Sequence, residues 1–327
     1  MATFLNPEHM TLSEALELQR YDGSTAFVKE LEKKSVLTQV MPWYPTSHGD
    51  LHKGVKATAI PEGKFGAINK AVPTGIASTK EYTETIKMFE LKSDVDTRIL
   101  EGTSPEKARA IRAGRDKLYT MGFMQSFANN VVTCDGKSDD SVKGLLPRRG
   151  KVDGKYTYTL GGSTNVGSIL LIRPGEDGVC FRYPSEAGVP NFTMKDMGIV
   201  QAFEKDSAGK IVGSFPAYET LLRLFYLIDV VDDEALQRIA NVPTAAALTD
   251  DNIDSIIDVV NGLPNQGAGY IAFAPKKVIG QFWKYLNRKD NIAFSKNEVE
   301  GMGRPTSIFN VPFFEEEFMS ANESVVG

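Results

Sequence analysis

The sequence predicts an α+β protein from which a long ribbon projects that cannot bury itself. Three observations predict it. Residues 35–96 are extended in character yet poor in large apolar side chains. Residues 105–131 carry one capped, amphipathic helical pattern. From residue 165 onward, short β-type runs alternate with helical stretches.

Residues 1–35 read as two short helices in an exposed arm. Thr11-Leu12-Ser13-Glu14 fits a capping box, in which hydroxyl and carboxylate each satisfy an orphan amide. Leu12, Ala15, Leu16, Phe27 and Leu31 supply narrow apolar stripes that need an outside surface, or a hairpin packing on its own domain, to cover them.

The ribbon follows. Val55–Ile60 and Lys64–Asn69 flank Pro61-Glu62-Gly63, where proline presets the first corner of a turn and glycine takes the left-handed position, so a hairpin is expected to close there. A second extended run, Glu81–Leu91, places Tyr82, Glu84, Ile86, Met88 and Glu90 on one side and Thr83, Thr85 and Lys87 on the other.

The helix signal is sharper. Ser104 is the cap, Pro105 the first helical residue, and Glu106 favours the positive helix end. Ile111, Leu118, Met121, Met124, Ala128 and Val131 recur on one face, and a helix over 105–131 would be about 40 Å long. Gly114 and Gly122 each weaken it by about 1 kcal/mol relative to alanine.

Residues 135–165 are a polar, glycine-rich connector. Strands are expected at Ser168–Ile172, Val179–Tyr183 and Ile199–Phe203, with a turn at Asp206-Ser207-Ala208-Gly209 and an apolar stretch over Leu221–Val231. A capped helix from Asp251 turns Ile253, Ile256, Ile257 and Val260 inward. Tyr270–Ala274 reads as a buried strand, Lys276–Asn287 as a helix, and Ser307–Phe314 as a last strand before the acidic Glu315-Glu316-Glu317.

Composition narrows the function. The net charge is −5, with 42 acidic and 37 basic residues, whereas tight nucleic-acid binders carry a basic surplus. Two cysteines make no disulfide framework and suit synthesis in a reducing cytosol. No apolar run approaches the roughly 20 residues that span a bilayer, and the opening MATFLNPEHM lacks the pattern of a signal peptide.

Candidate chemistry is sparse. Gly162-Ser163-Thr164-Asn165-Val166-Gly167-Ser168 resembles a phosphate loop but has Ser168 where the lysine belongs, so a plain turn into a strand is expected. His48 and His52 stand four apart with Asp50 between them; Gly49 argues against the helix that would make them a zinc pair, and two exposed loop histidines are expected. Cys134, Cys180 and His9 have no spacing that argues a thiol–imidazole pair. Asp139-Asp140 and Asp232-Asp233 read as solvated turns, and Asp250-Asp251 as a helix cap. Arg148-Arg149-Gly150-Lys151 is too short for a nucleic-acid surface and would touch one only weakly. The expectation is a non-enzyme with no catalytic, cofactor or metal site.

The order of elements resembles the coat proteins of tailed bacteriophages with the Hong Kong 97-type fold, those of short-tailed phages above all. Met41-Pro42-Trp43-Tyr44-Pro45, the ribbon around Ala59-Ile60-Pro61-Glu62-Gly63, the helix Ser104–Val131, and Gly303–Pro312 as the closing strand carry the likeness. The resemblance implies an N-terminal arm (1–35), an extended loop (36–92) lying over a neighbouring subunit, and a peripheral domain (93–135 with 266–327) around the spine helix. An axial domain (155–265) would follow a connector (136–154). It implies hexamers and pentamers of an icosahedral head enclosing double-stranded DNA, with a scaffold, a portal, and a protease or decoration protein as partners. Some members crosslink lysine to asparagine; Lys53, Lys56, Lys64 and Lys70 lie on the ribbon, but neither partner residue is matched. An encapsulin-type compartment shares this fold, and an α+β enzyme with a mobile ribbon is the alternative of a different class.

Overall fold

The computed structural model describes residues 35–63, 65, 66, 68, 70, 71, 74–101, 104–188, 190, 192–205, 210–267, 269–288, 294–296, 306–308 and 311–327. Apart from Ser35, the expected arm lies outside them, as does the expected turn at 206–209.

Among the described residues the elements run as follows: α1 (Val36–Val40), β1 (Trp43–Pro45), β2 (Leu51–Ala59), β3 (Ser78–Thr85), β4 (Lys87–Asp96), α2 (Thr97–Leu100), α3 (Pro105–Thr133), α4 (Leu145–Arg148), β5 (Thr157–Thr159), β6 (Val166–Ile172), β7 (Val179–Tyr183), β8 (Phe192–Lys205), β9 (Ile211–Val230), β10 (Leu236–Pro243), α5 (Asp250–Asn261), β11 (Ile271–Ala274), α6 (Lys276–Arg288), β12 (Phe294–Lys296), β13 (Thr306–Ile308) and β14 (Val311–Glu315).

The middle layer is a seven-stranded sheet in the order β12-β13-β14-β11-β6-β10-β5. Strand alternation sends its side chains to two cores. Ile169, Leu171, Ile239, Ala272 and Phe313 meet Ile253, Ile256 and Val260 of α5 and Val278 and Phe282 of α6. Leu170, Ile172, Leu236, Phe273 and Phe314 join the core that holds α1 and α3. Buried on both faces, β6 is apolar almost throughout.

A second sheet, β1-β7-β9-β4 with β8 also on β9, lies under α3. The helix is placed there by aromatic contacts. Phe123 lies 4.7 Å from Phe89 and Phe127 4.9 Å from Tyr226, ring centre to ring centre, while Trp43 stacks on Phe181 at 4.7 Å. Ser104 caps α3 by accepting from the Lys107 N–H, with Pro105 at its start. The expected apolar face holds only in its second half: Ile111 and Leu118 are exposed, because Phe123 and Phe127 set the phase on the sheet.

The ribbon departs further from expectation. It exists as β2 paired antiparallel with β3, from Leu51↔Thr85 to Ala59↔Ser78, and residues 60–77 connect the two strands. Pro61-Glu62-Gly63 therefore does not close it. Thr79, Thr83 and Thr85 of β3 oppose Ala57, Lys53 and Leu51, and such β-branched residues favour the pairing over the threonine-free Lys64–Asn69. The run Glu81–Leu91 breaks at Ile86, so the phase slips: Phe89 and Leu91 pack on the core and Met88 is exposed.

Two smaller corrections follow. Thr306–Ile308 and Val311–Glu315 are a hairpin (Thr306↔Phe313), not one closing strand. The cap of α5 is Thr249, in a capping box with Asn252, and Asp250 and Asp251 occupy the first turn. Each sheet draws on segments far apart in the chain: β11 and β14 share a sheet with β6 and β10, while β9 lies between β7 and β4 beneath α3.

Candidate assembly interface

The ribbon leaves the body through residues 46–50 on one side and the single residue Ile86 on the other, joined by the Ile86 N–H donating to the Asp50 carbonyl at 2.9 Å. Among the described residues no third strand pairs with it. Val55, Ile60, Phe65, Ile68 and Ile76 are exposed, Ile60 and Ile76 by 81% and 82%. Further apolar side chains are exposed on the β8–β9 hairpin, including Ile199, Phe203 and Ile211.

At its base one face of the ribbon rests on the body, and that face is polar. His52, Gly54 and Lys56 stand directly opposite Glu84, Tyr82 and Lys80. The Tyr82 hydroxyl donates to Asp229 Oδ1 at 2.9 Å, and His52 Nε2 lies 3.1 Å from Asp229 Oδ2. Arg182 Nε of β7 donates to the same Oδ2 at 2.9 Å. Arg148 grips both Glu84 carboxylate oxygens at 3.2 Å, and Lys56 reaches Asp233 at 3.0 Å. Gly54 makes room for the tyrosine: a Cβ there would lie 2.3 Å from Tyr82 Cζ.

Asp229 is 1% exposed. Burial raises its carboxyl, but the bond from His52 and the charge of Arg182 outweigh it and hold the group below the usual carboxylate range. Burial and the neighbouring Asp229 charge push the Tyr82 phenol upward, so it stays a donor.

The sequence's candidate sites fall elsewhere. Residues 162–165 lead into β6, with no helix behind them. Ser168 donates to Glu323 at 2.6 Å and accepts from Arg238 at 2.9 Å. His48 is exposed, but His52 is buried on a strand, which corrects the expectation of two loop histidines. Cys134 ends α3; Cys180 is buried in β7, its thiol pushed by burial to about 12. Asp139 and Asp140 are exposed. Asp233 is half exposed, as expected, but its carboxylate also accepts from Lys56 and its main-chain carbonyl from Arg149, and Arg148 and Arg149 are structural donors. Among the described residues no group of three or more His, Cys, Asp or Glu is placed to hold a metal. No helix among them is long and apolar enough to cross a membrane.

This fold is the Hong Kong 97-type fold of tailed-phage capsid subunits. The capsid structure of bacteriophage epsilon15 matches with a TM-score of 0.57 at 17% identity, covering 87% of each chain. The capsid of bacteriophage JBD30 matches with a TM-score of 0.49 at 10% identity over 94% of this chain and 99% of that one. The SrpI encapsulin of Synechococcus elongatus PCC 7942 gives 0.38 at 14%, over 65% and 89%. No curated protein sequence matches. The family model described as major capsid protein GP7 matches residues 21–327, and the chain belongs to that family of phage-shell proteins.

Proposed function

We propose that the chain is the repeating subunit of an icosahedral head, closing into hexamers and pentamers around double-stranded DNA, with each ribbon lying across the next copy. The ribbon carries this reading. A two-stranded ribbon is marginal alone in water, and one with exposed isoleucines and a phenylalanine at its far end gains stability only when another surface covers them. A second copy in a closed lattice supplies that surface without further design. In this reading the sheet under α3 is the peripheral domain and the seven-stranded sheet with α5 and α6 the axial one. The protein is made in the host cytoplasm and works with scaffold, portal and decoration proteins. Its net charge of −5 keeps the contact with DNA weak and non-specific, and it performs no catalysis.

Removal of the far end tests this. A Cβ on Gly75 would lie 2.5 Å from Pro61 Cβ, so the two arms still run together there. A short glycine linker can therefore replace residues 61–75, at a closure cost of about 1 kcal/mol or less. The deletant is expected to melt as the parent subunit does and to form no closed shells by electron microscopy. Full-sized shells of parental stability would refute the reading.

A further inference from the structure

We propose that the polar seat around Asp229 is a reversible latch, which fixes the angle of the ribbon when engaged and lets it swing on Asp50 and Ile86 when released. The purpose of such a latch rests on the ribbon being the intersubunit element; its mechanics do not.

Three features separate a latch from ordinary packing. The seated face of the ribbon offers no aliphatic side chain, so lifting it exposes little apolar surface, and water replaces the polar contacts it breaks.

Each body-side group also keeps a second partner within the body. Asp229 retains Arg182 at 2.9 Å, and Arg182 also donates to the Pro45 carbonyl at 3.3 Å. Arg148 retains the Ile228 carbonyl at 2.8 Å, and the half-exposed Asp233 carboxylate retains Arg149 at 3.5 Å and water. An empty seat therefore leaves the buried Asp229 carboxylate paired with Arg182 and the Arg148 guanidinium hydrogen-bonded to carbonyls, which lowers the usual penalty of breaking a buried ion pair.

The engaged seat, finally, is incompletely satisfied. His52 Nδ1 is buried with no hydrogen-bond partner, and release gives it water. Gly54 belongs to the same device, because only a residue without Cβ lets the Tyr82 ring lie across the ribbon to reach Asp229.

The test reads the angle directly, by electron–electron distance measurement on spin-labelled full-length chain diluted with unlabelled protein, in a Cys134→Ser background. One pair, at Thr79 and Ser126, spans ribbon and body; a control pair, at Ser126 and Ser255, lies within the body. All three sites are exposed. The parent is expected to give a narrow ribbon–body distribution. His52→Ala, Tyr82→Phe and Glu84→Gln together should broaden it about twofold, as a second population appears, and leave the control pair unchanged. A ribbon–body distribution that stays narrow in the triple variant overturns the latch. If the control pair broadens too, the single Tyr82→Phe and Gly54→Ala variants decide: broadening confined to the ribbon–body pair supports the latch, and parental width in both overturns it. Shell formation is scored separately by microscopy, so loss of shells with a narrow distribution counts against the latch and not against the shell reading.

Discussion

Glu316 makes a pH-dependent prediction whose sign is fixed by its surroundings. It follows β14, is 0% exposed, and bridges to Ser35, where the chain enters the described body. One carboxylate oxygen accepts from the Ser35 hydroxyl and from the Leu37 N–H, each at 3.1 Å, while the other is buried without a partner. Burial pushes the carboxyl from an ordinary 4.5 to about 7, against the pull of those two bonds, with the Glu317 charge adding to the rise. The folded chain thus holds this proton more tightly than the unfolded chain. The stabilisation is complete below about pH 4.5 and disappears as pH rises through about 7, a span worth about 3 kcal/mol at most.

Glu316→Gln keeps the shape and the accepting oxygen and removes the titration. Urea unfolding of parent and variant subunits, run between pH 5 and pH 8, is the assay. The two should be similar near pH 5, and the variant should become the more stable by up to about 3 kcal/mol at pH 8, where the parent must bury an ionised carboxylate. A difference between parent and variant that does not change with pH would refute the reasoning.

Three further substitutions follow from packing and pairing. Arg238→Met breaks a buried pair with Glu323 (2.7 Å) and leaves that carboxylate uncompensated, so thermal unfolding should show a loss of about 3–5 kcal/mol. Phe127→Ala empties the aromatic core between α3 and Tyr226 and should cost about 3–5 kcal/mol in the same measurement. Alanine at Gly114 and Gly122 meets nothing within 4 Å, so the double variant should gain up to about 2 kcal/mol, read as a higher denaturant midpoint.

The elements that the sequence shows plainly are those whose signals are local. Ser104-Pro105-Glu106 marks the start of α3 because capping and proline geometry act within one turn. The interior of β6 and the apolar positions of α5 are legible because burial imposes a period on adjacent residues. Pro61-Glu62-Gly63 misleads for the same reason. Its turn chemistry is local, whereas the return strand is chosen by register over the whole length of β2, and the match lies at Ser78–Thr85. The outer half of α3 misleads in the opposite way, since Ile111 and Leu118 keep the helical period but the sheet beneath them ends the burial.

The seat of the ribbon left no trace of that kind. Its groups come from positions 52, 82, 84, 148, 182, 229 and 233, and the Lys56–Asp233 bond alone closes 177 residues. Charged side chains that pair across such distances need no spacing, and in sequence each looks like solvent-facing polarity. Asp232-Asp233 and Arg148-Arg149 read as turns and surface charge for this reason. Two kinds of specification are therefore superimposed in one chain. Apolar periodicity dictates a body with its own cores, and a sparse set of polar partners dictates where a ribbon without a core of its own attaches to it. The second kind is also the easier to undo: water competes with every contact it makes, and the apolar far end still needs another surface to cover it. In the proposed latch, a ribbon held this way is set at one angle by its own body and is free to be reset, a change that an apolar seat would oppose more strongly.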